Sequence, residues 1–279
     1  MESVFDIPKD QITLHQMRMG GSFGRRRFQD YSCEVTAIAR RFDVPIKLMW
    51  TREDDLMHDQ FRPGGVYAFK GAVSREGNVV AMENHLIGPS VRGIATNGTR
   101  LGSAEFPALN IDNYRAAVSL IDTNTPTGSW RAPGSNATGW AVQSFISELA
   151  HAAGRDNVEL LIEMMGEPRW FVEGSTGSLN TGRAVDVIKL AAEQSGWGKT
   201  LPEGRGMGIS FHFSHAGHVA EIAEVSVDAN RNVTIHKVTA AVDIGPVINM
   251  SGALKQIEGG VLDGISSMLG LEITMQNGI

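Results

Sequence analysis

The 279-residue sequence has little cysteine, no long apolar run and no strong excess of one charge. Its single cysteine, Cys33, excludes an intramolecular disulfide, and it excludes an iron–sulfur cluster held by this chain, because such clusters normally take four protein ligands. No stretch of about 20 apolar residues occurs, so no membrane-spanning helix is predicted. The net charge of −6, with both signs mixed along the chain, argues against nucleic acid as a partner.

An export signal is also missing. The triplet Arg25-Arg26-Arg27 is similar to the start of a twin-arginine signal, but the residues that follow, "QDYSCEV", do not form the apolar stretch that such a signal requires. The sequence therefore leaves the compartment open, cytoplasmic or periplasmic in a bacterium.

What is present is a globular composition, with 42% hydrophobic residues, and a mixture of helical and strand periodicities. This mixture predicts an α+β fold with mixed sheets and packed helices. Domains are predicted over 1–150 and 151–279, with a soft boundary between 150 and 180. The predicted strands are 11–17, 44–50, two runs joined at "REGN", 114–122 and two runs flanking "DANRN". One predicted helix covers 27–42, and another begins near 251. Three more helices are predicted from their N-terminal caps, which are Ser135 or Asn136, Asp156 and Thr181.

A glycine-rich turn, "GGSFG" at 20–24, lies between the first predicted strand and helix. Free backbone N–H groups at a helix N-terminus favour anionic ligands such as phosphate. Close packing of a strand on a helix also selects glycine, so a purely structural turn is an equal alternative. The spacing differs from the G-x-G-x-x-G fingerprint of dinucleotide-binding loops.

A second loop, "SWRAPGSN" at 129–136, places Arg131 directly before a predicted helix. A guanidinium can bind an anion through two parallel hydrogen bonds, and the helix N-terminus adds N–H donors. The alternative is a solvated arginine in a surface loop.

Two further clusters have a functional and a structural interpretation. His212, His215 and His218 would form a metal site only if a turn at "SHAG" brought them together, and no carboxylate or thiolate is spaced to complete the site, so no metal ligand is assigned. The second cluster contains acidic residues that could serve acid–base catalysis or bind a divalent cation, with a charged surface loop as the favoured alternative. Its members are Glu53, Asp54, Asp55, His58 and Asp59.

Four segments in order resemble one protein family: "RMGGSFGRR", "KLMWTREDDLMHDQFRP", "GSWRAPGSNATGWAVQSFISELA" and "AAVDIGPVINMSGALKQIEGGVLDGIS". The chain is similar to the molybdopterin-binding subunit of the xanthine dehydrogenase/aldehyde oxidase family, and most similar to its isoquinoline 1-oxidoreductase β-subunit branch. The resemblance implies two partial molybdopterin-binding subdomains, 1–150 and 151–279. It also implies a molybdenum hydroxylase that oxidises an aldehyde or an N-heteroaromatic carbon with oxygen from water.

The same resemblance implies a molybdenum cofactor built on molybdopterin, in its cytosine dinucleotide form, and a small 2Fe-2S partner subunit that removes the electrons. The implied cofactor-binding residues are those of the two loops and one glutamine of the last segment: Gly20, Gly21, Ser22, Phe23, Gly24, Trp130, Arg131 and Gln256. Folding is expected to bring Arg131 and Gln256 close to the turn at Phe23 and Gly24.

Departures from the family pattern limit this transfer. Ser22 replaces the usual glycine, and Arg25-Arg26-Arg27 replaces the Gly-Lys-Glu of xanthine dehydrogenases, so purine contacts are not transferred. The family's Met-Gly-Gln-Gly segment and the Gly-Glu motif with its catalytic base have no counterpart, so no catalytic residue is assigned. The chain is expected to be the middle of a longer subunit, inactive without its remaining segments.

Two alternatives stay open from the sequence. One is an NAD- or FAD-dependent oxidoreductase that uses the first strand, loop and helix as a dinucleotide site, with Glu53 or Asp54 for the ribose. The other is a non-catalytic, truncated module that self-associates through apolar patches.

Overall fold

The computed structural model describes residues 1–99, 106–274 and 276. The chain divides into two compact units. The first unit contains Met1–Val66, Ile87–Arg100 and Val118–Gly134, and the second contains Tyr67–Leu86, Leu101–Ala117 and Ser135–Ile279. The predicted domain division between 150 and 151 stays a prediction.

Helices and strands alternate irregularly along the chain, which confirms the predicted α+β class. The elements are α1 (Glu2–Phe5), α2 (Asp30–Ala39), α3 (Arg52–His58), β1 (Val66–Val73), β2 (Val79–Val91), β3 (Ile94–Ala95), β4 (Asn113–Asp122), α4 (Ser135–Ala153), α5 (Asn157–Met165), α6 (Thr181–Ser195), β5 (Arg205–Ser214), β6 (Gly217–Val227), β7 (Val233–Asp243) and α7 (Met250–Leu269). β2 pairs with β1, β3 and β4 in one sheet, and β5, β6 and β7 form a second, antiparallel sheet in chain order.

The predicted strands over 11–17 and 44–50 are wrong, because neither segment forms a strand. Segment 11–17 alternates apolar and polar residues and segment 44–50 is a mostly apolar run, but a strand also needs a neighbouring strand to satisfy its backbone hydrogen bonds. Each segment also leaves an apolar side chain strongly exposed, Leu14 at 81% and Met49 at 80%. The two strands predicted at the start of the chain are therefore absent.

In the three-stranded sheet of the second unit, β6, β7 and the turn between them follow the prediction, whereas β5 was not predicted. Residues 228–232 form the turn between β6 and β7, where the Asp228 amide donates to the Asn232 carbonyl oxygen at 3.1 Å. Alternate residues of β6 are buried with α6, including Ala220 and Ile222. The period of two thus places Ala220 and Ile222 on the same face of the sheet, and Val219 and Ala223 on the opposite face.

Of the helix caps predicted in the second unit, that of α5 is observed. Helix α4 begins at Ser135, so Ser135 and Asn136 both lie inside the helix and the predicted cap is wrong. Asp156 caps α5 by accepting hydrogen bonds from the Val158 and Glu159 amides, as predicted. At α6 the cap is Asn180, whose side chain accepts from the Arg183 amide, and the prediction of Thr181 is wrong. The Thr181 hydroxyl instead donates to the Glu167 carbonyl oxygen at 2.7 Å, which removes it from the capping role.

Helix α7 lies beside a cleft of about 290 Å³ on the second sheet. Strand residues such as Ile209, Glu221 and Val238 line the cleft on one side, and Gly260 and Gly264 of α7 line it on the other. Across the part of the chain that the structure describes, no helix is both long enough and apolar enough to cross a membrane.

Candidate cofactor-binding loops

The first loop, residues 20–24, turns sharply because two successive residues have positive φ. Phe23 has φ 48° and Gly24 has φ 107°, and Ser22 then accepts a hydrogen bond from the Arg25 amide at 3.0 Å. The Phe23 ring folds back over Gly21, where a Cβ atom would lie 2.8 Å from the ring. A non-glycine residue with positive φ is uncommon and is often found at functional sites.

The second loop, residues 129–134, touches the first loop directly. A Cβ atom at Gly24 would lie 2.2 Å from the Ser129 carbonyl oxygen and 3.0 Å from the Trp130 Cα atom. Only glycine permits this approach of the two backbones. The structure thus brings together two loops that are about 100 residues apart in the sequence.

Arg62, which the sequence analysis did not assign, contacts the second loop at three successive residues. Its guanidinium lies 4.4 Å from the centre of the Trp130 ring, and it donates to the carbonyl oxygens of Arg131 at 2.8 Å and of Ala132 at 3.3 Å. Arg62 lies within the family-like segment "HDQFRP", but only the folded chain shows what it contacts.

The other predicted site residues divide between the two units. Gly20, Gly21, Ser22, Phe23, Gly24, Trp130 and Arg131 all belong to the first unit. Gln256 lies in α7 of the second unit. Its predicted proximity to the two loops stays a prediction.

Arg25 follows the first loop and binds two carboxylates. It forms a bidentate pair with Asp30, at 2.8 Å for each bond, and its Nε atom lies 2.9 Å from Asp59. The hydrogen bond from Arg25 lowers the pKa of Asp30. The Arg25 guanidinium also lies 5.6 Å from the centre of the Trp50 ring, beside a cleft of about 830 Å³. Arg25 therefore stabilises the first unit locally.

The acidic segment that was a candidate for acid–base or cation chemistry contains a short helix, α3, that the sequence analysis missed. Thr51 and Asp54 form a capping box at its start, in which each side chain accepts from the other residue's amide. Asp55 pairs with Arg52 at 3.0 Å, and Asp59 pairs with Arg25. Three of its carboxylates thus take part in capping or ion pairs.

The histidines of β5 and β6 point away from each other. A two-residue turn at His215 and Ala216, both with positive φ, joins the strands, and the register pairs Phe213 with His218. His212 and His218 therefore lie on opposite faces of the sheet. No group of three or more potential metal ligands comes together among the residues that the structure describes.

His218, which is fully buried, belongs to a polar cluster at the end of β7. Its Nε2 atom accepts from the Asn180 amide at 3.0 Å, and burial lowers its pKa, with the positive charge of Arg183 acting in the same direction. Arg183 donates two hydrogen bonds of 2.6 Å to Asp243, and they lower the pKa of that carboxyl to about 2. This cluster fixes the end of the strand that precedes the family-like segment "DIGPVIN".

Glu221 is the one ionisable residue that lines the cleft beside α7, within the part of the chain that the structure describes. Burial raises its pKa. A carboxyl group whose pKa is higher in the folded state binds more protons there, so stability falls as pH rises above the unfolded value of 4.5.

We expect Glu221→Gln to stabilise the chain by about 1 kcal/mol at pH 8, because the amide carries no charge to desolvate. At pH 4 the substitution should change the stability little, because the carboxyl group is then protonated and neutral in the folded chain. Thermal unfolding at both pH values measures the effect. Glu203→Gln, at an exposed position, is the matched control. An equal effect of Glu221→Gln at both pH values would contradict the expectation.

Two family models together cover the whole sequence. Residues 1–163 match a family model described as a molybdopterin cofactor-binding domain, and residues 114–279 match a second model with the same description. The chain belongs to the molybdopterin cofactor-binding domain family. The predicted family is therefore confirmed.

Individual relatives agree with this assignment. The chain is 25% identical to isoquinoline 1-oxidoreductase subunit beta of Brevundimonas diminuta, over 99% of this chain and 36% of that protein. It is 26% identical to a protein of Gluconacetobacter polyoxogenes named membrane-bound aldehyde dehydrogenase [pyrroloquinoline-quinone], over 98% of this chain and 38% of that protein. The chain thus spans less than two fifths of the length of these relatives.

A solved structure shows the same fold. The CO dehydrogenase of Oligotropha carboxidovorans superposes with a TM-score of 0.55 at 19% identity, covering 75% of this chain and 29% of that chain. This similarity supports the predicted fold class, the molybdopterin-binding fold of the aldehyde oxidase/xanthine dehydrogenase type.

Proposed function

We propose that the chain forms part of the cofactor-binding region of a molybdenum hydroxylase that oxidises an aldehyde or an N-heteroaromatic carbon. The observation that supports this proposal is the direct backbone contact between Gly24 and Ser129, which joins the two family-like loops. Both substrate classes occur in the names of the relatives. The chain covers only part of each of these two relatives. Catalysis is therefore proposed for a polypeptide of the relatives' length and not for these 279 residues alone.

The two loops fit a large anionic, conjugated cofactor. Apart from the chain neighbours of Gly20, no atom of the described residues lies within 4 Å of a Cβ position there, so the backbone is open to a ligand. Phe23 is 57% exposed although its backbone is in a disfavoured conformation, so its ring is available to contact a flat group. Trp130 and Arg131 are half-buried on the adjoining loop.

In this proposal each residue has a binding role. Phe23 and Trp130 would contact the pterin, while Arg131 would donate charge-assisted hydrogen bonds to anionic oxygens of the cofactor. Gln256 would add an amide hydrogen bond from α7. The bound molybdenum cofactor supplies the redox chemistry, in which an oxygen atom derived from water is added to the substrate carbon. We assign no catalytic base to this chain.

The cofactor is proposed to be the cytosine dinucleotide form, and the partner a small subunit that holds 2Fe-2S clusters. A separate electron-transfer subunit is consistent with a chain whose only cysteine is Cys33. The NAD or FAD alternative loses its structural basis, because no strand precedes the first loop at 11–17.

The test is a cofactor analysis of the full-length polypeptide purified with its partner subunit. We expect about one molybdenum per polypeptide, release of cytidine monophosphate on acid hydrolysis, and incorporation of ¹⁸O from labelled water into the product. Because one relative is named for pyrroloquinoline quinone, the same sample is extracted for that compound. Stoichiometric pyrroloquinoline quinone without molybdenum would overturn the proposed cofactor.

A further inference from the structure

We propose that Arg62 is a positioning residue: it holds the second loop in the conformation that presents Trp130 and Arg131 to the cofactor. The inference rests on the proposed function for its final step. The contact of Arg62 with the second loop does not depend on that function, and hydrogen exchange in the loop tests it separately.

One side chain contacts three successive residues through three different groups. The face of the Arg62 guanidinium lies 4.4 Å from the Trp130 ring centre, while Nη2 and Nη1 donate to the next two carbonyl oxygens, those of Arg131 and Ala132. A guanidinium is planar and carries its N–H donors in a fixed fork, so it can stack on a ring and donate at its edge at once. An ammonium group is a point charge and cannot reproduce that geometry.

The second loop needs such support because its backbone is in a disfavoured conformation. Ala132 has φ 56°, which residues with a side chain rarely adopt. It also precedes Pro133, and a residue before proline normally prefers an extended conformation with negative φ. The loop residues 129–134 contain no helix or strand to supply backbone hydrogen bonds. The hydrogen bond from Arg62 to the Ala132 carbonyl oxygen acts directly on the disfavoured residue.

Arg62 is itself held in place by the residue before it. The Phe61 amide donates to the Pro126 carbonyl oxygen at 2.9 Å, and the Phe61 carbonyl oxygen accepts from the Gly128 amide at 3.0 Å. These bonds form a parallel bridge between Phe61 and Thr127. A Cβ atom at Gly128 would lie 2.7 Å from the Gln60 Cβ atom, so the two segments are in close contact. The bridge sets the position of Arg62 relative to the start of the second loop.

The hydrogen bond from Arg62 to Arg131 goes to the backbone carbonyl oxygen of Arg131 and not to its side chain. Arg62 therefore acts through the loop and does not itself touch the cofactor. This division of roles predicts that a change at Arg62 lowers cofactor binding and loosens residues 129–134, while the remainder of the chain keeps its stability.

The experiment compares Arg62→Lys and Arg62→Met in the full-length polypeptide with Arg41→Met, at an exposed arginine, as control. Hydrogen exchange followed by mass spectrometry reports on residues 129–134, and molybdenum per folded polypeptide reports on cofactor binding. We expect both Arg62 variants to exchange about tenfold faster in the loop and to lose about tenfold in cofactor affinity. Exchange in α6 and the melting temperature should stay close to those of the unchanged protein and the control.

Two results would overturn the proposal. The first is a hydrogen-exchange rate at residues 129–134 that is the same in Arg62→Lys as in the unchanged protein. A positive charge at position 62 would then be sufficient to hold the loop, without the geometry of the guanidinium. The second is a loss of cofactor that only follows the unfolded fraction of each variant. If the unchanged polypeptide carries no molybdenum, the proposed function fails, and the exchange measurement alone then decides whether Arg62 holds the loop.

Discussion

Replacing Gly24 by alanine is expected to destabilise the first unit by about 3 kcal/mol, through a clash combined with backbone strain. The new Cβ atom would lie 2.2 Å from the Ser129 carbonyl oxygen, which belongs to backbone and cannot rotate away. The φ of 107° at Gly24 is also disfavoured for any residue with a side chain. The two loops would have to separate, so the proposed cofactor site would lose its geometry as well as its stability.

Native-state hydrogen exchange of α2 amides, which lie in the first unit, measures this change without requiring the whole chain to unfold in one step. Gly20→Ala is the matched stability control, because no atom lies within 4 Å of its Cβ position and its φ is not positive. We expect the control to change stability by less than about 0.5 kcal/mol. Equal destabilisation by Gly24→Ala and Gly20→Ala would contradict this expectation, since the contact between Gly24 and Ser129 would then not be the reason why position 24 requires glycine.

Replacing Arg131 by alanine is expected to weaken cofactor binding by about 1.5–3 kcal/mol, roughly 10- to 150-fold, through loss of a charge-assisted hydrogen bond. The fold should change little, because Arg62 binds Arg131 through the carbonyl oxygen, and alanine keeps that oxygen. The measurement is molybdenum and pterin content per folded polypeptide, titrated against free cofactor during reconstitution.

Arg131→Lys helps to separate the possible roles. Lysine keeps the charge but not the fork, so we expect intermediate cofactor affinity. Unchanged affinity in Arg131→Ala would remove this residue from the proposed site. Unfolding of Arg131→Ala, with normal occupancy in the fraction that remains folded, would show that the side chain supports the fold and not the cofactor.

Local signals predicted much of the second unit. The alternation of β6 and β7, the turn at 228–232 and the Asp156 cap depend on residues within a few positions of each other, and all three appear in the structure. Gly196 ends α6 in the left-handed conformation, which glycine adopts more readily than other residues. The cap of α6 was predicted one residue late, because Asn180 and Thr181 are both good capping residues and only the contact of Thr181 with Glu167 decides between them.

Prediction failed where structure depends on distant partners. Segment 11–17 has the period of a strand and segment 44–50 is a short apolar run, but no strand pairs with either in the described part of the chain. The histidines could be assigned to faces only once the turn at His215 and Ala216 was known. Arg62 could not be singled out, because the groups that it contacts are about 70 residues further along the sequence.

The sequence by itself determined the family, since four ordered segments resemble it and the family models match them, and it determined that this chain cannot hold an iron–sulfur cluster on thiolates. Its local patterns also determined the α+β class, the strands β6 and β7 and the Asp156 cap of α5. Only the tertiary structure decided that the glycine loop meets the arginine loop at Gly24, and that Arg62 holds the latter. The physical reason is range: helical periodicity and capping act between neighbours in sequence, whereas steric fit and hydrogen bonding between loops depend on atoms that become neighbours only on folding.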